Sequence, residues 1–201
     1  MDSQQLVLEW LADSLAAKEN FARANAARIA QAAGALAARI RLGGKVLLFG
    51  NGGSAADASH IAAEFVNRFK LERPAWPALS LCCDPSTVTS IANDRSYDEL
   101  FSRQIEAFGG PDDVAWGIST SGNSETVVRG FATARARGCL TIASLGRDGG
   151  RCKGLAEWEF IVPAQETSRI RKPISSSPTP SANSQNSTSP ASFKNFPAKT
   201  R

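Results

Sequence analysis

The chain has 201 residues, of which 42% are hydrophobic and 21% charged, with a formal net charge of +4. This length is enough for one domain with a sizeable buried core that needs no disulfide or metal to stabilise it. Its apolar runs fall well short of the roughly 20 residues that a membrane helix needs, and the N-terminus lacks the basic start and apolar stretch of a signal peptide. The four cysteines have neither a CxxC nor a zinc-ligand spacing, which indicates reduced thiols, so we expect a cytoplasmic protein without a membrane partner.

The positive charge, which by itself suggests nucleic-acid binding, is confined to the C-terminal end of the chain. Of the 23 basic residues, six follow Ser168, whereas all 19 acidic residues precede it, so residues 1–168 carry 17 positive and 19 negative charges. Residues 173–190 are mostly Ser, Pro and Thr, and such a segment cannot bury enough surface to offset the entropy of ordering it. We therefore predict a disordered tail over residues 171–201 and no nucleic-acid partner.

Apolar residues at helical spacing in an Ala-rich background predict two N-terminal helices, 4–20 and 22–41, ahead of Gly43-Gly44. Short apolar runs that are typical of strands buried on both faces follow at 45–49, 78–82, 114–118, 140–144 and 159–162. Strands that alternate with helices form a parallel sheet through right-handed crossovers. The sequence thus predicts an α/β fold: a doubly wound, five-stranded parallel sheet flanked by helices, with an N-terminal helical pair.

Two polar, glycine-containing loops follow the first and third predicted strands. They are residues 50–54, Gly-Asn-Gly-Gly-Ser, and residues 119–124, Ser-Thr-Ser-Gly-Asn-Ser. Ligands of open α/β sheets bind at the carboxyl ends of the strands, and each loop opens a predicted helix, so backbone N–H groups and positive helix-dipole ends face one cleft. The second loop adds hydroxyl donors, and neither loop contains Lys or Arg. This pattern favours a small phosphorylated metabolite over a nucleic-acid backbone.

Three simpler interpretations of these loops remain open. Gly50, Gly52 and Ala55 fit a loose dinucleotide-binding fingerprint, but the acidic ribose partner expected about 20 residues later at the end of a strand is missing. The second loop could be an ordinary helix N-cap, which accounts for one hydroxyl and not for four. The glycines of the first loop could form only a tight turn.

His60, the only histidine, lies four residues before Glu64 on the predicted helix that leaves the first loop. This spacing places both side chains on one helical face, where imidazole and carboxylate can bind a divalent metal or form a general base. The alternatives are a surface pair or a core histidine bonded to a carbonyl, and Asp57 is a second possible partner. Asn93-Asp94 adds polar groups that could reach sugar hydroxyls, or could form an ordinary Asx turn.

Together these residues resemble the sugar isomerase (SIS) domain family and, within it, the phosphoheptose isomerases. The matching strings are Phe-Gly-Asn-Gly-Gly-Ser-Ala-Ala-Asp at 49–57, His-Ile-Ala-Ala-Glu-Phe at 60–65, Arg-Pro-Ala-Trp-Pro-Ala-Leu at 73–79, Ala-Asn-Asp at 92–94 and Gly-Ile-Ser-Thr-Ser-Gly-Asn-Ser at 117–124. The resemblance extends from the first helices to about Ile170. It implies an N-terminal helical unit for oligomerisation over residues 1–42 and a sugar-phosphate-binding domain over residues 43–170.

The resemblance implies a cytosolic homotetramer, with sites between subunits, that converts sedoheptulose 7-phosphate to D-glycero-D-manno-heptose 7-phosphate through an enediol. Such products serve the synthesis of lipopolysaccharide core or of nucleotide-activated heptoses. Glu64 is the implied base that moves a proton between C1 and C2, and His60 and Glu64 are implied ligands of one zinc ion. The other implied substrate-binding residues are Asn51, Gly52, Gly53, Asn93 and Asp94 around the sugar, Ser119, Thr120, Ser121 and Ser124 around the phosphate, and Ser54.

After Ile170 the sequence departs from the family, which continues with Gln-Glu-x-His and a long apolar helix. That Gln and a second, later His complete the family's metal and acid–base site. This chain instead has Arg171-Lys172-Pro173, and a proline is incompatible with a regular helix interior.

We hypothesise a one-nucleotide deletion in the encoding DNA, which would account for the change in sequence. Without one C, ATC-CAG-GAA-GCC-CAT-ATC, which encodes Ile-Gln-Glu-Ala-His-Ile, reads ATC-AGG-AAG-CCC-ATA-TC and encodes Ile170 to Ile174 as they stand. A genuine disordered extension is the other explanation. Because two site groups are missing and an apolar face lacks its covering helix, we expect weak or absent isomerase activity and poor tetramerisation.

Two other functions remain open. Residues 91–95 favour a non-catalytic SIS protein that binds the replication initiator DnaA, although such a module has no need of Glu64 beside His60. A sugar-phosphate sensor would bind its ligand without turnover, and the missing C-terminal site groups would suit it.

Overall fold

A computed structural model describes residues 2–68 and 72–162. In chain order its helices and strands are α1 (Ser3–Arg41), β1 (Val46–Gly50), α2 (Gly53–Val66), β2 (Ala78–Ser80), α3 (Pro85–Asp94), α4 (Leu100–Phe108), β3 (Val114–Ser119), α5 (Glu125–Ala136), β4 (Leu140–Gly146) and β5 (Trp158–Val162). Single 3-10 turns at Tyr97–Glu99 and Gly150–Cys152 precede α4 and β5. All five predicted strands are confirmed, with bounds that differ by one or two residues.

The five strands form one parallel sheet in the order β2-β1-β3-β4-β5. From β1 the chain moves to β2 on one side and then crosses back to β3 on the other side. The border between β1 and β3 is therefore the topological switch point, the place where ligands bind in open sheets of this strand order. The predicted doubly wound α/β fold is confirmed.

Helices cover both faces of the sheet, and the residues of β1 alternate between them. Val46 and Leu48 pack with the apolar side chains of α1 and α2, whereas Leu47 and Phe49 pack with those of α3, α4 and α5. All four strand residues are fully buried. A strand with a helix layer on each side needs apolar residues at every position, which explains the continuous apolar run in the sequence.

The N-terminal segment is one continuous helix of 39 residues, so the prediction of two helices, 4–20 and 22–41, is wrong. Phe21, where the break was expected, is helical and buried, and its carbonyl oxygen accepts a hydrogen bond of 2.9 Å from the Asn25 side chain. Neither Gly nor Pro occurs near this position to interrupt the helix. The helix begins at the Asp2 N-cap, whose carboxylate accepts from Gln4 N.

Within the described residues, no helix is both long and apolar enough to cross a membrane. All four cysteines, Cys82, Cys83, Cys139 and Cys152, are free thiols. The predicted disordered tail and the departure from the family after Ile170 lie outside the described residues.

Gly117 in β3 provides a test of how closely the sheet packs against α5. A Cβ at this position would lie 2.5 Å from Phe131 Cζ and 2.8 Å from Phe49 Cε2, so Gly117→Ala must displace both rings. Overpacking of this kind lowers the free energy of unfolding by about 1–3 kcal/mol. Urea denaturation of the purified chain measures the effect.

Gly34→Ala is the matched control, because Gly34 lies inside α1 and a Cβ there meets nothing within 4 Å. We expect it to raise the free energy of unfolding by about 0.5–1 kcal/mol, since alanine restricts the unfolded chain and favours the helix. Equal stability of the two alanine variants would contradict the packing described at Gly117.

Candidate functional site

The two predicted loops lie side by side at the switch point. β1 and β3 pair in register, with Gly50 opposite Ile118, and the chain leaves both strands at the same edge of the sheet. The first loop runs into α2 after the Gly52 N-cap, and the second runs into α5 after the Ser124 N-cap. Two helix N-termini thus converge at one edge, an arrangement that binds anions through backbone N–H groups and the helix dipoles.

One glycine in each loop is required by the backbone. Gly52 has φ = +54° and Gly122 has φ = +67°, in the left-handed region that side chains disfavour. A Cβ on Gly122 would also lie 2.1 Å from the Gly149 carbonyl oxygen, because the second loop packs against the turn that precedes β5. The first loop is therefore a tight turn as well as a helix start.

The hydroxyl groups of the second loop keep their donor capacity. Ser119 Oγ accepts a 3.1 Å hydrogen bond from Gly122 N, and Ser121 Oγ accepts one of 3.2 Å from Asn123 N. In both bonds the hydroxyl is the acceptor, so its own O–H can still donate to a ligand oxygen. Ser124 is the N-cap residue of α5, yet its side chain makes no capping bond. Ordinary N-capping therefore does not account for the run of hydroxyls.

One acidic and two basic side chains form a charged cluster close to the second loop. Glu125, in the first turn of α5, pairs with Arg129 at 2.7 Å and with Arg151 at 2.8 Å. The hydrogen bond from Arg129, and then that from Arg151, holds the pKa of Glu125 below its ordinary value. Arg151 reaches the loop because Cys152 N donates to the Gly122 carbonyl oxygen. Sequence reasoning missed Arg151, which lies 27 residues beyond Ser124 in the chain.

A hydrogen-bonded bridge joins the first loop to α5 and to the turn before α4. Tyr97 Oη donates to Asn51 Oδ1 at 3.1 Å, and Asn51 Nδ2 donates to Thr126 Oγ1 at 2.6 Å. These partners are 46 and 75 residues from Asn51 in the sequence. No local pattern relates residues so far apart, so Tyr97 and Thr126 could not have been found without the fold.

Asn93 and Asp94 are the last two residues of α3, so the alternative of an Asx turn does not apply. Asn93 Nδ2 donates to Asp94 Oδ1 at 2.8 Å, and both residues are exposed. Tyr97 follows three residues later and contacts Asn51, which places this end of α3 next to the first loop. Their predicted contact with the sugar stays a prediction. Ser54, in contrast, is buried in the first turn of α2.

His60 and Glu64 lie on one face of α2, as predicted, with His60 Nε2 3.7 Å from Glu64 Oε1. The His60 side chain is 66% exposed and that of Glu64 is 21% exposed. Glu64 Oε2 is buried and has no hydrogen-bond partner among residues 2–68 and 72–162. A buried carboxylate oxygen without a donor is costly and rare, and it marks a position where a ligand atom or a proton is expected.

Arg73 binds the end of α2 that carries Glu64. Its guanidinium donates to the carbonyl oxygens of Glu64 at 2.6 Å and of Phe65 and Pro74 at 2.9 Å, and it stacks on the Trp76 ring at 3.9 Å. Burial lowers the pKa of Arg73, and the charge of Glu64 opposes that shift. Because the guanidinium is directed to backbone carbonyls, it fixes the helix end and leaves Glu64 Oε2 without a donor.

The structure does not bring Glu64 to the loops within one chain. α2 begins at Gly53 by the first loop, and at 1.5 Å per residue Glu64 lies about 16 Å further along the helix axis. With C–C bonds of about 1.5 Å, C1 of an extended heptose 7-phosphate lies only about 10 Å from phosphorus. The reacting carbons of a ligand whose phosphate is held at the loops therefore fall short of the backbone of Glu64 in the same chain.

The residues described supply only part of a zinc site. Among residues 2–68 and 72–162, no group of three His, Cys, Asp or Glu side chains lies close enough to hold a metal ion. His60 and Glu64 are thus a pair of donors, whereas a structural zinc ion takes four protein ligands and a catalytic one takes three. The chain contains no second histidine.

Known proteins resemble the chain in both sequence and structure. The SIS domain family model matches residues 9–146. The phosphoheptose isomerase of Aquifex aeolicus (strain VF5) is 50% identical over 160 residues, 80% of this chain and 84% of that protein. Phosphoheptose isomerase GmhA of Neisseria gonorrhoeae superposes with a TM-score of 0.78 at 37% identity, covering 86% of this chain and 92% of that one. A phosphoheptose isomerase of Francisella tularensis superposes with a TM-score of 0.82 at 32% identity, covering 87% and 93%. This chain therefore belongs to the SIS domain family and, within it, to the phosphoheptose isomerases.

Proposed function

We propose that the chain is the isomerase that interconverts sedoheptulose 7-phosphate and D-glycero-D-manno-heptose 7-phosphate. The observation that carries this proposal is Glu64 Oε2, which is buried and has no hydrogen-bond partner within the described part of the chain, and which could accept a proton. Two helix N-termini of the same chain meet at one sheet edge, which supports binding of an anionic group there. The names of the relatives, which are phosphoheptose isomerases, support the same substrate class. They do not favour the alternative of a non-catalytic protein that binds the initiator DnaA.

The phosphate would bind at the N-terminus of α5, where hydroxyl and N–H donors face the cleft. Its oxygens would accept hydrogen bonds from Ser119, Thr120, Ser121 and Ser124. The sugar would extend towards Asn51, Gly52, Gly53, Ser54, Asn93 and Asp94. The charge pairs of Glu125 support this arrangement, because Arg129 and Arg151 offset the only acidic side chain in the first turn of α5.

The base would come from a second copy of the chain, because the Glu64 backbone lies about 16 Å along the α2 axis from Gly53 of its own first loop. Its carboxylate would remove a proton from C1 of the ketose, the electrons of that C–H bond forming the C1–C2 double bond of an enediol as the carbonyl oxygen at C2 gains a proton. Return of the proton to C2, with loss of the proton from the C1 hydroxyl, gives the aldose. No atom is gained or lost, since C1 is oxidised while C2 is reduced.

Self-association is supported by the first half of α1, whose apolar side chains are left exposed by the part of the chain that the structure describes. Val7, Leu8, Trp10, Leu11 and Leu15 are each 53–59% exposed, and Leu8, Leu11 and Leu15 share one helical face. We infer that a second copy of the chain covers this face. This contact would be one of the interfaces of the homotetramer that the resemblance implies.

Zinc remains a proposal with partial support. His60 and Glu64 would be its ligands here, and a zinc ion at that position would act as a Lewis acid on the substrate's oxygen atoms. The two donors are too few for a tight site, so the proton transfer above is assigned to Glu64 alone.

We further propose a cytoplasmic location, which the four free thiols support, since disulfides are rare in that compartment. The product would supply heptose for lipopolysaccharide core or for nucleotide-activated heptoses.

Glu64→Gln tests the assignment of the base. Glutamine keeps the shape of the side chain but cannot take up the proton, so we expect exchange of the C1 hydrogen of sedoheptulose 7-phosphate with solvent to fall by about 100-fold or more. Mass spectrometry in heavy water measures the exchange. Glu72→Gln is the matched control, because Glu72 is exposed and pairs with Arg68 at the surface. Measurable exchange at equal rates in the wild-type chain and Glu64→Gln would contradict the assignment. Binding of sedoheptulose 7-phosphate without exchange in the wild type would contradict turnover by this chain, as expected of a sugar-phosphate sensor or of an isomerase that lacks its C-terminal site groups.

Calorimetry with zinc chloride tests the metal site. Four-ligand sites in zinc-finger peptides bind with about 10–16 kcal/mol, and two ligands should give a dissociation constant weaker than about 1 µM. His60→Ala should weaken binding by at least about tenfold. Binding tighter than about 1 nM would mean that further ligands complete the site, and unchanged binding in His60→Ala would place the ion elsewhere.

Leu11→Glu tests the interface on α1. A charge in the centre of the apolar face should shift the chain towards the monomer in sedimentation velocity, because an unpaired carboxylate cannot be buried. Asn20→Glu is the matched control, on the opposite side of the same helix and also exposed. A wild-type chain that is monomeric at micromolar concentration, or a Leu11→Glu chain that associates like the wild type, would contradict the interface.

A further inference from the structure

The side-chain amide of Asn51 is held from both sides by residues of two other elements. Its Oδ1 accepts from Tyr97 Oη at 3.1 Å, and its Nδ2 donates to Thr126 Oγ1 at 2.6 Å. Tyr97 lies in the 3-10 turn before α4, and Thr126 lies in the first turn of α5. An amide bonded at both ends has one orientation, and each bond adds to the geometry of the other.

These two bonds close a bridge across the switch point. Asn51 directly follows β1 and precedes Gly52, the N-cap of α2. Thr126 belongs to the helix that begins at the second loop and is only 3% exposed, so its hydroxyl is a fixed anchor. The amide therefore adds a side-chain link between the first loop and the first turn of α5, above the backbone pairing of β1 with β3.

Tyr97 differs from Thr126 because about half of its surface, 51%, is exposed. A tyrosine hydroxyl that donates to Asn51 keeps acceptor capacity for a second partner. The residue also lies three positions after Asp94, next to the end of α3. Its side of the bridge is thus exposed, and a sugar hydroxyl can reach it there. The Thr126 side of the bridge is buried.

We propose that Tyr97 and Thr126 are positioning residues that act through Asn51 and set the selectivity of the first loop for the polyhydroxylated part of the substrate. The inference rests on the proposed function, since it presumes that a sugar phosphate occupies this cleft. The phosphate group alone, held at the second loop, gains nothing from the bridge. Loss of the bridge should therefore weaken binding of the sugar part of the substrate and not binding of its phosphate group.

Titration calorimetry of the full chain with two probes, sedoheptulose 7-phosphate and inorganic phosphate, tests this separation. Tyr97→Phe removes only the hydroxyl, and Thr126→Val replaces the anchoring hydroxyl by a methyl group of similar size. Each should weaken binding of the sugar phosphate by about three- to tenfold, the effect of one hydrogen bond, and leave the affinity for inorganic phosphate unchanged. Thr126→Ser keeps the Oγ and should bind both probes like the wild type.

The outcomes distinguish the inference from the function on which it rests. Wild-type affinity of Tyr97→Phe for sedoheptulose 7-phosphate would overturn the inference alone, as would an equal loss of affinity for both probes, which is the sign of a general structural defect. Failure of the wild-type chain to bind sedoheptulose 7-phosphate would overturn the proposed function and the inference together. Urea unfolding of Tyr97→Phe, expected to match the wild type, provides the check on folding.

Discussion

The pairing of β1 with β3 is the constraint on which the rest of the structure depends. Because β2 lies on the far side of β1, the helices that follow β1 and β3 leave the sheet towards opposite faces, α2 onto one and α5 onto the other. Their N-termini nevertheless begin at the same edge, next to one another. An anion site made of backbone dipoles follows from strand order alone, before any side chain is considered.

For the proposed phosphorylated substrate, this origin of the site means that backbone N–H groups and hydroxyls, rather than many positive side chains, would hold the phosphate. The loops contribute N–H and O–H donors, and the arginines near them are paired with Glu125. The overall charge of +4 is therefore a poor guide to the ligand, because residues 1–168 carry a slight excess of negative charge. The same geometry sends α2 away from the cleft and carries His60 and Glu64 with it. Under the proposed function, a base at that distance would serve the cleft of another copy, so catalysis would depend on self-association.

Much of the fold and part of the candidate site could be predicted from the sequence, and the features that could not be predicted have physical reasons. The continuous apolar run of β1 and the two loops are local patterns, and both are confirmed. The break expected at Phe21 was wrong because spacing alone does not end a helix where Gly and Pro are absent. The contacts of Asn51 with Tyr97 and Thr126 join residues far apart in the sequence, so only the fold reveals them. The contacts of Arg73 are with backbone carbonyl oxygens, which give no signal in the sequence. The distance of Glu64 from the first loop, in contrast, follows from helix rise and was available from the sequence.

A crystal structure of the chain with sedoheptulose 7-phosphate tests the central claim most directly. The account predicts phosphate oxygens within hydrogen-bond distance of the Ser121 and Ser124 hydroxyls at the N-terminus of α5. It also predicts that C1 and C2 of the sugar lie beside the Glu64 carboxylate of a second copy. A phosphate bound away from this helix N-terminus, or a sugar whose C1 and C2 do not lie beside the Glu64 of a second copy, would contradict it.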